Sequence, residues 1–144
     1  MTDWDPEAFT KALIEDMRAH GGRPSTGPMA DRPLMVLTTT GARTGEPRTA
    51  IVTFHRDGDR YVIAASKGGA DENPAWYQNL LTHPEVTVEA DNETFKARAT
   101  DTTGAERDRL WNDHVAARPE FGEYPKMTKR IIPMIVLERA DGRS

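Results

Sequence analysis

Apolar residues recur along this chain at two intervals, and the change from one to the other separates its first part from the rest. Phe9, Leu13 and Met17 stand four apart, the spacing of one helical face. Asp5-Pro6-Glu7 supplies an N-cap, a first-turn proline and an acid near the positive helix end. Gly21-Gly22 ends the helix, and Gly21 to Pro33, rich in glycine and proline, reads as a loop or crossover. From Leu34 the interval falls to two. Strands are predicted over Leu34 to Thr40, Thr49 to Arg56 and Arg60 to Ser66, the last two joined by the tight turn Asp57-Gly58-Asp59. Val86 and Val88 alternate with polar residues, as do Phe95, Ala97 and Ala99 beyond a turn at Asp91-Asn92, which makes a second hairpin. Ile132 to Glu138 is a sixth strand. Asn73-Pro74 caps a short helix bearing Trp76, Tyr77, Leu80 and Leu81, with His83-Pro84 at its end. Thr103-Gly104-Ala105-Glu106 has the form of a capping box. It opens a helix that buries Leu110, Trp111 and Val115 and stops at Arg118-Pro119. Phe121 to Lys129 is aromatic and irregular. Hairpins, rather than helical crossovers, connect the strands, so an antiparallel barrel with peripheral helices is expected.

With 144 residues the chain is read as one domain, with a helix and loop over 1–33 and the barrel with its helices over 34–144. A net charge of -4 argues against a nucleic-acid partner, whose binding rests on clustered Lys and Arg. The absence of cysteine excludes disulfides, thiol catalysis and thiolate metal sites, and fits a reducing, cytoplasmic setting. Met1-Thr2-Asp3-Trp4-Asp5 has neither a basic start nor an apolar run, so no secretory signal is expected. No apolar stretch approaches the ~20 residues of a membrane-spanning helix. The stripe of the first helix is expected to dock on the barrel. It could instead cover a cofactor or meet a membrane surface, which leaves a peripheral membrane contact open.

Three segments could carry chemistry. Gly41-Ala42-Arg43-Thr44-Gly45, with Arg48 beyond it, sets two guanidinium groups and a hydroxyl about a turn, where they could fork onto phosphate or carboxylate oxygens. A hairpin loop with solvated arginines is the plain alternative. Ser66-Lys67-Gly68-Gly69 follows a strand, where successive amides can form a nest for an anion. Trp76 and Tyr77 then offer a face for a flat ring, although Trp76 and Leu80 four apart are equally good core residues. Phe121-Gly122-Glu123-Tyr124-Pro125 could form a lid whose Tyr124 donates a hydrogen bond or proton, or could merely pack a loop on the barrel. His20, His55, His83 and His114 lack metal-ligand spacing, so no metal site is expected. His114 is read as a helix-surface or half-buried residue, and Glu106 to Arg109 as a solvated face.

Taken in order, these segments resemble the deazaflavin-dependent nitroreductase and quinone reductase family, split-barrel proteins that use reduced coenzyme F420. The resemblance runs from about Leu34 to Leu137. It rests on Leu-Thr-Thr-Thr-Gly-Ala-Arg-Thr-Gly-Glu-Pro-Arg, on Ala-Ala-Ser-Lys-Gly-Gly-Ala-Asp-Glu-Asn-Pro-Ala-Trp-Tyr-Gln-Asn-Leu, on His83-Pro84-Glu85-Val86 and on Arg130-Ile131-Ile132-Pro133. It implies a six-stranded antiparallel split β-barrel of the FMN-binding type, and a deazaflavin whose phosphate and oligoglutamate tail lie over cationic loops. Arg43, Thr44 and Arg48 match positions that hold phosphate or tail carboxylates. Lys67 and Gly68 match a loop that cradles the linker. Ala65, Ser66, Trp76 and Asn79 match positions near the ring and ribityl chain. Tyr124 matches a tyrosine implicated in substrate binding and protonation.

The chain departs from the family at Thr53, where some relatives carry an aromatic pocket residue. It departs again around Tyr124, where Phe121 and Met127 stand in place of further tyrosines. All four residues belong to the expected substrate pocket. The implied activity is hydride transfer from F420H2 to an electron-poor small molecule: a quinone, a nitroaromatic, or a conjugated enone or lactone such as a coumarin derivative. Ser66 and Tyr124 are the expected catalytic residues. A carrier or storage protein for F420 without turnover, or an FMN-binding reductase on the same barrel, are the alternatives. Monomer and homodimer both remain open.

Overall fold

The period-two runs become six strands whose two outermost members pair with each other. The structure is a computed structural model that describes residues 6–20, 33–91 and 93–140. Its elements are α1 (Pro6–Ala19), β1 (Leu34–Thr40), β2 (Pro47–Asp57), β3 (Arg60–Ala64), α2 (Ala75–Thr82), β4 (Glu85–Ala90), β5 (Glu93–Asp101), α3 (Gly104–Ala117) and β6 (Met134–Arg139), with 3-10 segments at Lys67–Gly69 and Pro119–Lys126. The expectations about Asp5, Gly21-Gly22, the loop up to residue 32 and Asn92, and the side chain of Phe9, lie outside the described residues.

The strands close in the order β1-β2-β3-β6-β5-β4, every pair antiparallel. Alternation along each strand sends one set of side chains inward. Met35, Leu37, Phe54, Tyr61, Ile63, Val88, Phe95, Ile135 and Leu137 fill the interior, and Leu80 of α2 joins them. The outward set is covered in two places. Val62, Ala64, Met134 and Val136 lie under Leu110 of α3 and Phe121. Leu34 and Val36 lie under Ile14 and Met17 of α1. The stripe of α1 is thus spent on the barrel wall, as expected, and among the described residues no helix is long and apolar enough to cross a membrane.

Several boundaries differ from the sequence expectation. β2 begins at Pro47, because the β1–β2 ladder runs on to the pair Thr40–Pro47. β3 stops at Ala64, ahead of Lys67, whose φ of 47° turns the chain out of the ladder. β6 starts only at Met134, since Pro133 has no N–H to donate. The Pro133 carbonyl still accepts from Ala65 N–H at 2.9 Å. Thr103 is the N-cap of α3, but its hydroxyl makes no capping bond, so the capping box does not close. Asn73 does not cap α2 either; Pro74 holds that position. Nor is the Glu106–Arg109 face simply solvated. Arg107 donates to the Ile132 carbonyl at 3.0 and 2.8 Å. Glu106 and Arg109 join Asp57 and Arg60 in a network that ties α3 to the β2–β3 hairpin. The guanidinium groups of Arg109 and Arg60 hold the Asp57 carboxyl well below the usual carboxylate range.

The register puts one set of connections at one rim. Thr40 faces Pro47, Ala64 faces Met134, Asp101 faces Ile135 and Glu85 faces Arg98. The β1–β2 turn, the β3–α2 loop and the segment entering β6 therefore share that rim, while the β2–β3 and β4–β5 turns lie at the other. Ile63 is fully buried between them. Ile63→Ala should cost about 2–5 kcal/mol through lost transfer energy and a cavity. Urea unfolding should show this as a lower midpoint at an unchanged slope.

Candidate functional site

At this rim the β1–β2 turn and α2 bound a groove of about 540 Å³, lined by Thr39, Gly41, Ala42, Arg43, Thr44, Arg48, Thr49, Ala50, Ala75, Trp76, Gln78 and Asn79. Its volume is within the range of small-molecule sites. The structure thus brings together Arg43, Thr44, Arg48, Trp76 and Asn79, which sequence reasoning had taken from two separate segments. Asn79 makes the join. Its Oδ1 accepts from Ala42 N–H at 2.9 Å, and its Nδ2 donates to Thr39 Oγ1 at 3.1 Å. Asn79 therefore fixes the width of the groove. Gly41 is needed in the turn because a Cβ there would lie 2.6 Å from Thr44 Oγ1.

The donors of the groove are lightly engaged. Arg43 is exposed and makes no hydrogen bond or ion pair among the described residues. Among the described residues the Arg48 side chain meets only Glu46, at 3.7 Å, with both side chains more than half exposed. Such a pair is worth little and gives way readily to a better anion. Trp76 lines the groove and also packs on the barrel core. Tyr77 does not line the groove. Its hydroxyl donates to Asp101 Oδ2 at 2.5 Å, and burial, with that carboxylate, pushes its pKa up to about 12. The Trp-Tyr pair expected to face one flat ring diverges because adjacent helical residues point in different directions.

Ala65, Ser66, Lys67 and Gly68 lie at the same rim but do not line this groove. Ser66 adopts αR geometry and Lys67 follows with φ 47°. An αR residue followed by a left-handed one turns successive N–H groups to one side, as in an anion nest. A non-glycine residue with positive φ is uncommon and costs energy that its surroundings must offset. Ser66 is only 8% exposed, and its hydroxyl has no hydrogen-bond partner among the described residues. Lys67 pairs with Glu72 at 2.8 Å in an exposed contact that also lowers the Glu72 pKa.

Tyr124 and Met127 cover this loop. A Cβ at Gly69, whose φ is 88°, would meet Met127 Sδ at 2.7 Å and Tyr124 Cδ1 at 3.4 Å. Phe121 stands behind Tyr124, buried under α3, with ring centroids 5.1 Å apart. It is a support for the tyrosine rather than an open pocket wall. Thr53 faces Leu34, roughly 17 Å along β2 from Arg48 at the ordinary strand rise, and is outside the groove.

Sequence reasoning missed Arg130 as a site residue. Its guanidinium donates to the carbonyls of Ala70 (2.8 Å), Ala65 (3.1 Å) and Ser66 (2.9 Å) and to Asn73 Oδ1 (2.8 Å). That fork accounts for the bend from β3 into α2 and for Asn73 not capping the helix. The only signal was a cation just before the last strand. The donor set as a whole fits an anionic group joined to a flat ring: cations free or weakly paired beside an apolar wall, a turned amide pair and, among the described residues, an unpaired hydroxyl. Arg130→Ala should remove four hydrogen bonds from this bend, with the Ser66 carbonyl keeping only Gly69 N–H, and cost on the order of 2–3 kcal/mol. Hydrogen exchange should then quicken over 65–73, and Arg130→Lys should not restore it, because an ammonium cannot reproduce the fork.

Comparison with known proteins agrees with this geometry. The family described as F420H(2)-dependent quinone reductase matches residues 11–139. The F420H(2)-dependent quinone reductase Rv1261c of Mycobacterium tuberculosis is 41% identical over 112 residues, 74% of this chain and 74% of that protein. A solved structure described as F420-H2 dependent reductase (FDR-A) is 34% identical, with a TM-score of 0.69, covering 74% of this chain and 95% of its own. Another, described as a domain-swapped dimer, is 30% identical with a TM-score of 0.71, covering 93% and 100%. The six-stranded barrel, its cationic rim and these matches together place this chain in the F420H(2)-dependent quinone reductase family.

Proposed function

We propose that this protein is an F420H2-dependent reductase acting on a quinone or a comparable electron-poor acceptor. One observation carries the reading: the rim sets Arg43 and the weakly paired Arg48 beside an apolar indole wall, on loops tied to the fold by Arg130 and Asn79. Bound F420H2 would supply the hydride, since the cofactor carries the redox chemistry. The remaining work belongs to the chain.

Arg43, Thr44 and Arg48 would bind the phosphate and tail carboxylates by charge-assisted hydrogen bonds. Lys67 would leave its exposed partner Glu72 for a ligand oxygen, and Gly68 admits close approach of the backbone. Trp76 and Ala65 would bound the ring, with Asn79 holding Trp76 and the β1–β2 turn at a fixed separation. Ser66 Oγ would donate to the oxygen of the acceptor on which negative charge develops, an electrostatic aid that is strong where water is excluded. Tyr124, above the same loop, would hold the acceptor and donate the proton that completes reduction. Met127 would complete the cover. Quinones match the family name. Nitroaromatic and conjugated lactone acceptors share the same need, an electron-poor carbon or nitrogen beside a group that can take negative charge, and belong to the same proposal.

Titration of F420 by fluorescence should give a saturable complex, and Arg43→Ala or Lys67→Ala should each raise its Kd roughly tenfold. Tyr124→Phe should leave that Kd unchanged and lower kcat with menadione by about 10². A protein that binds F420 but leaves menadione reduction at the protein-free rate would be a carrier, and the reductase reading would fail.

A further inference from the structure

Behind Tyr124 lies a pair of histidines that the proposed chemistry does not use. His114 of α3 is fully buried, contrary to the expectation of a surface or half-buried residue, because α3 turns that face onto the barrel wall. Its Nδ1 lies 2.8 Å from Nδ1 of His55 on β2. The Nε2 atoms of both rings are buried and have no partner among the described residues. On its other side His114 meets the Phe121 ring edge to face, centroids 4.4 Å apart, and Phe121 meets Tyr124 at 5.1 Å. A continuous path of ring contacts therefore runs from the histidine pair to the phenol.

Two Nδ1 atoms at this distance can be bonded only if one carries hydrogen and the other does not. In the neutral pair the donor ring is the Nδ1–H tautomer and the acceptor ring the Nε2–H tautomer. Uptake of one proton keeps the bond, because the donor ring can be a cation. Uptake of a second breaks it, because both Nδ1 atoms then point hydrogen at each other.

We propose that the His55–His114 pair is the positioning element for Tyr124: one shared hydrogen between buried His114 and half-buried His55 holds Phe121, and through it the phenol, over the Ser66–Gly69 loop. The pair is not a catalytic site, and it acts on turnover only through Tyr124. The part that concerns turnover rests on the proposed role of Tyr124; the hydrogen bond and its hold on residues 119–127 do not.

The surroundings favour the neutral pair. Burial lowers the pKa of both rings, that of His114 to about 4, with the charge of His55 a further cause. Around His55 stand Asp57 of β2 and Asp113 and Arg109 of α3; around His114 stand Glu120 and Arg118 of the following segment. The carboxylates favour protonation and the guanidiniums oppose it, and burial outweighs both. A lowered folded-state pKa means that the unfolded chain takes up protons first as pH falls. The stabilisation is therefore complete above the ordinary histidine value of ~6.5 and is lost as pH falls toward about 4.

The test uses the whole chain. Long-range ¹H–¹⁵N imidazole spectra of the cofactor-free protein near neutral pH should show one ring as the Nδ1–H tautomer and the other as Nε2–H; both rings in one tautomer would overturn the pairing. His55→Phe keeps a ring but leaves His114 Nδ1 unpaired, whereas His55→Asn keeps a group that can bond it. Hydrogen exchange over 119–127 should quicken about tenfold in the first and stay near wild type in the second. With F420 bound at unchanged Kd, His55→Phe should lower kcat by roughly 10²-fold, with His55→Asn restoring most of it. If the segment loosens and the cofactor binds but kcat holds, the positioning role is wrong; absence of F420 binding would instead sink the proposed function and leave the pairing standing. Should His55→Phe fail to fold, wild type alone decides: followed by the imidazole spectra as pH falls, protection over 119–127, corrected for intrinsic exchange, should hold while one ring is protonated and fall when both are, and protection unchanged by the second protonation would overturn the proposal.

Discussion

Barrel closure is the constraint from which the rest of the structure follows. Because β4 pairs with β1, each strand has a hydrogen-bonded neighbour on both sides and none is an edge strand. Closure fixes which alternate side chains turn inward, and the register sends the β1–β2 turn, the β3–α2 loop and the approach to β6 to one rim. Functional groups distant in sequence meet there because antiparallel strands return their connections to the same end. The interior is filled by side chains, so the rim and the outer wall are where binding chemistry has room.

Two polar residues convert that rim from a set of loops into a shaped site. Asn79 fastens the β1–β2 turn to α2 from both ends of its amide. Arg130 collects three carbonyls and an amide oxygen and so sets the bend between β3 and α2. Both use their hydrogen-bonding groups inward, on the fold. Arg43 and Ser66 do the opposite and, among the described residues, keep donors free. A site that binds an anion and a flat ring needs both kinds of residue, since unengaged donors recognise a ligand well only when the backbone beneath them is held in place. The outer wall adds a second layer, with His114 of α3, paired to His55 of β2, backing Phe121 and through it the cover formed by Tyr124 and Met127.

The strand count, the hairpin at Gly58-Asp59 and the barrel class were legible because they rest on period-two alternation and turn residues, which are local. The β1–β2 turn and the Ser66–Gly69 loop were legible as glycine-bearing cationic bends for the same reason: turn residues and charges at strand ends are local features. Phe121 and Thr53 were harder. Their places depend on which side of a curved wall a residue faces and on how far along a strand it sits from the rim. Tyr77 looked like a partner to Trp76 by adjacency, but Asp101, far away in the chain, takes its hydroxyl.

From its residues alone this chain determined six strands, their hairpin order, the glycine-bearing cationic bends and the resemblance that names a cofactor. Tertiary structure decided what those bends are fastened to. It made Asn79 and Arg130 structural ties, moved Asn73 from a cap to an acceptor, and buried His114 against His55. The reason is physical: turn and strand preferences arise from neighbouring residues, whereas the partner of a buried polar group is whichever group the closed barrel brings within about 3 Å, and no spacing along the chain encodes that distance.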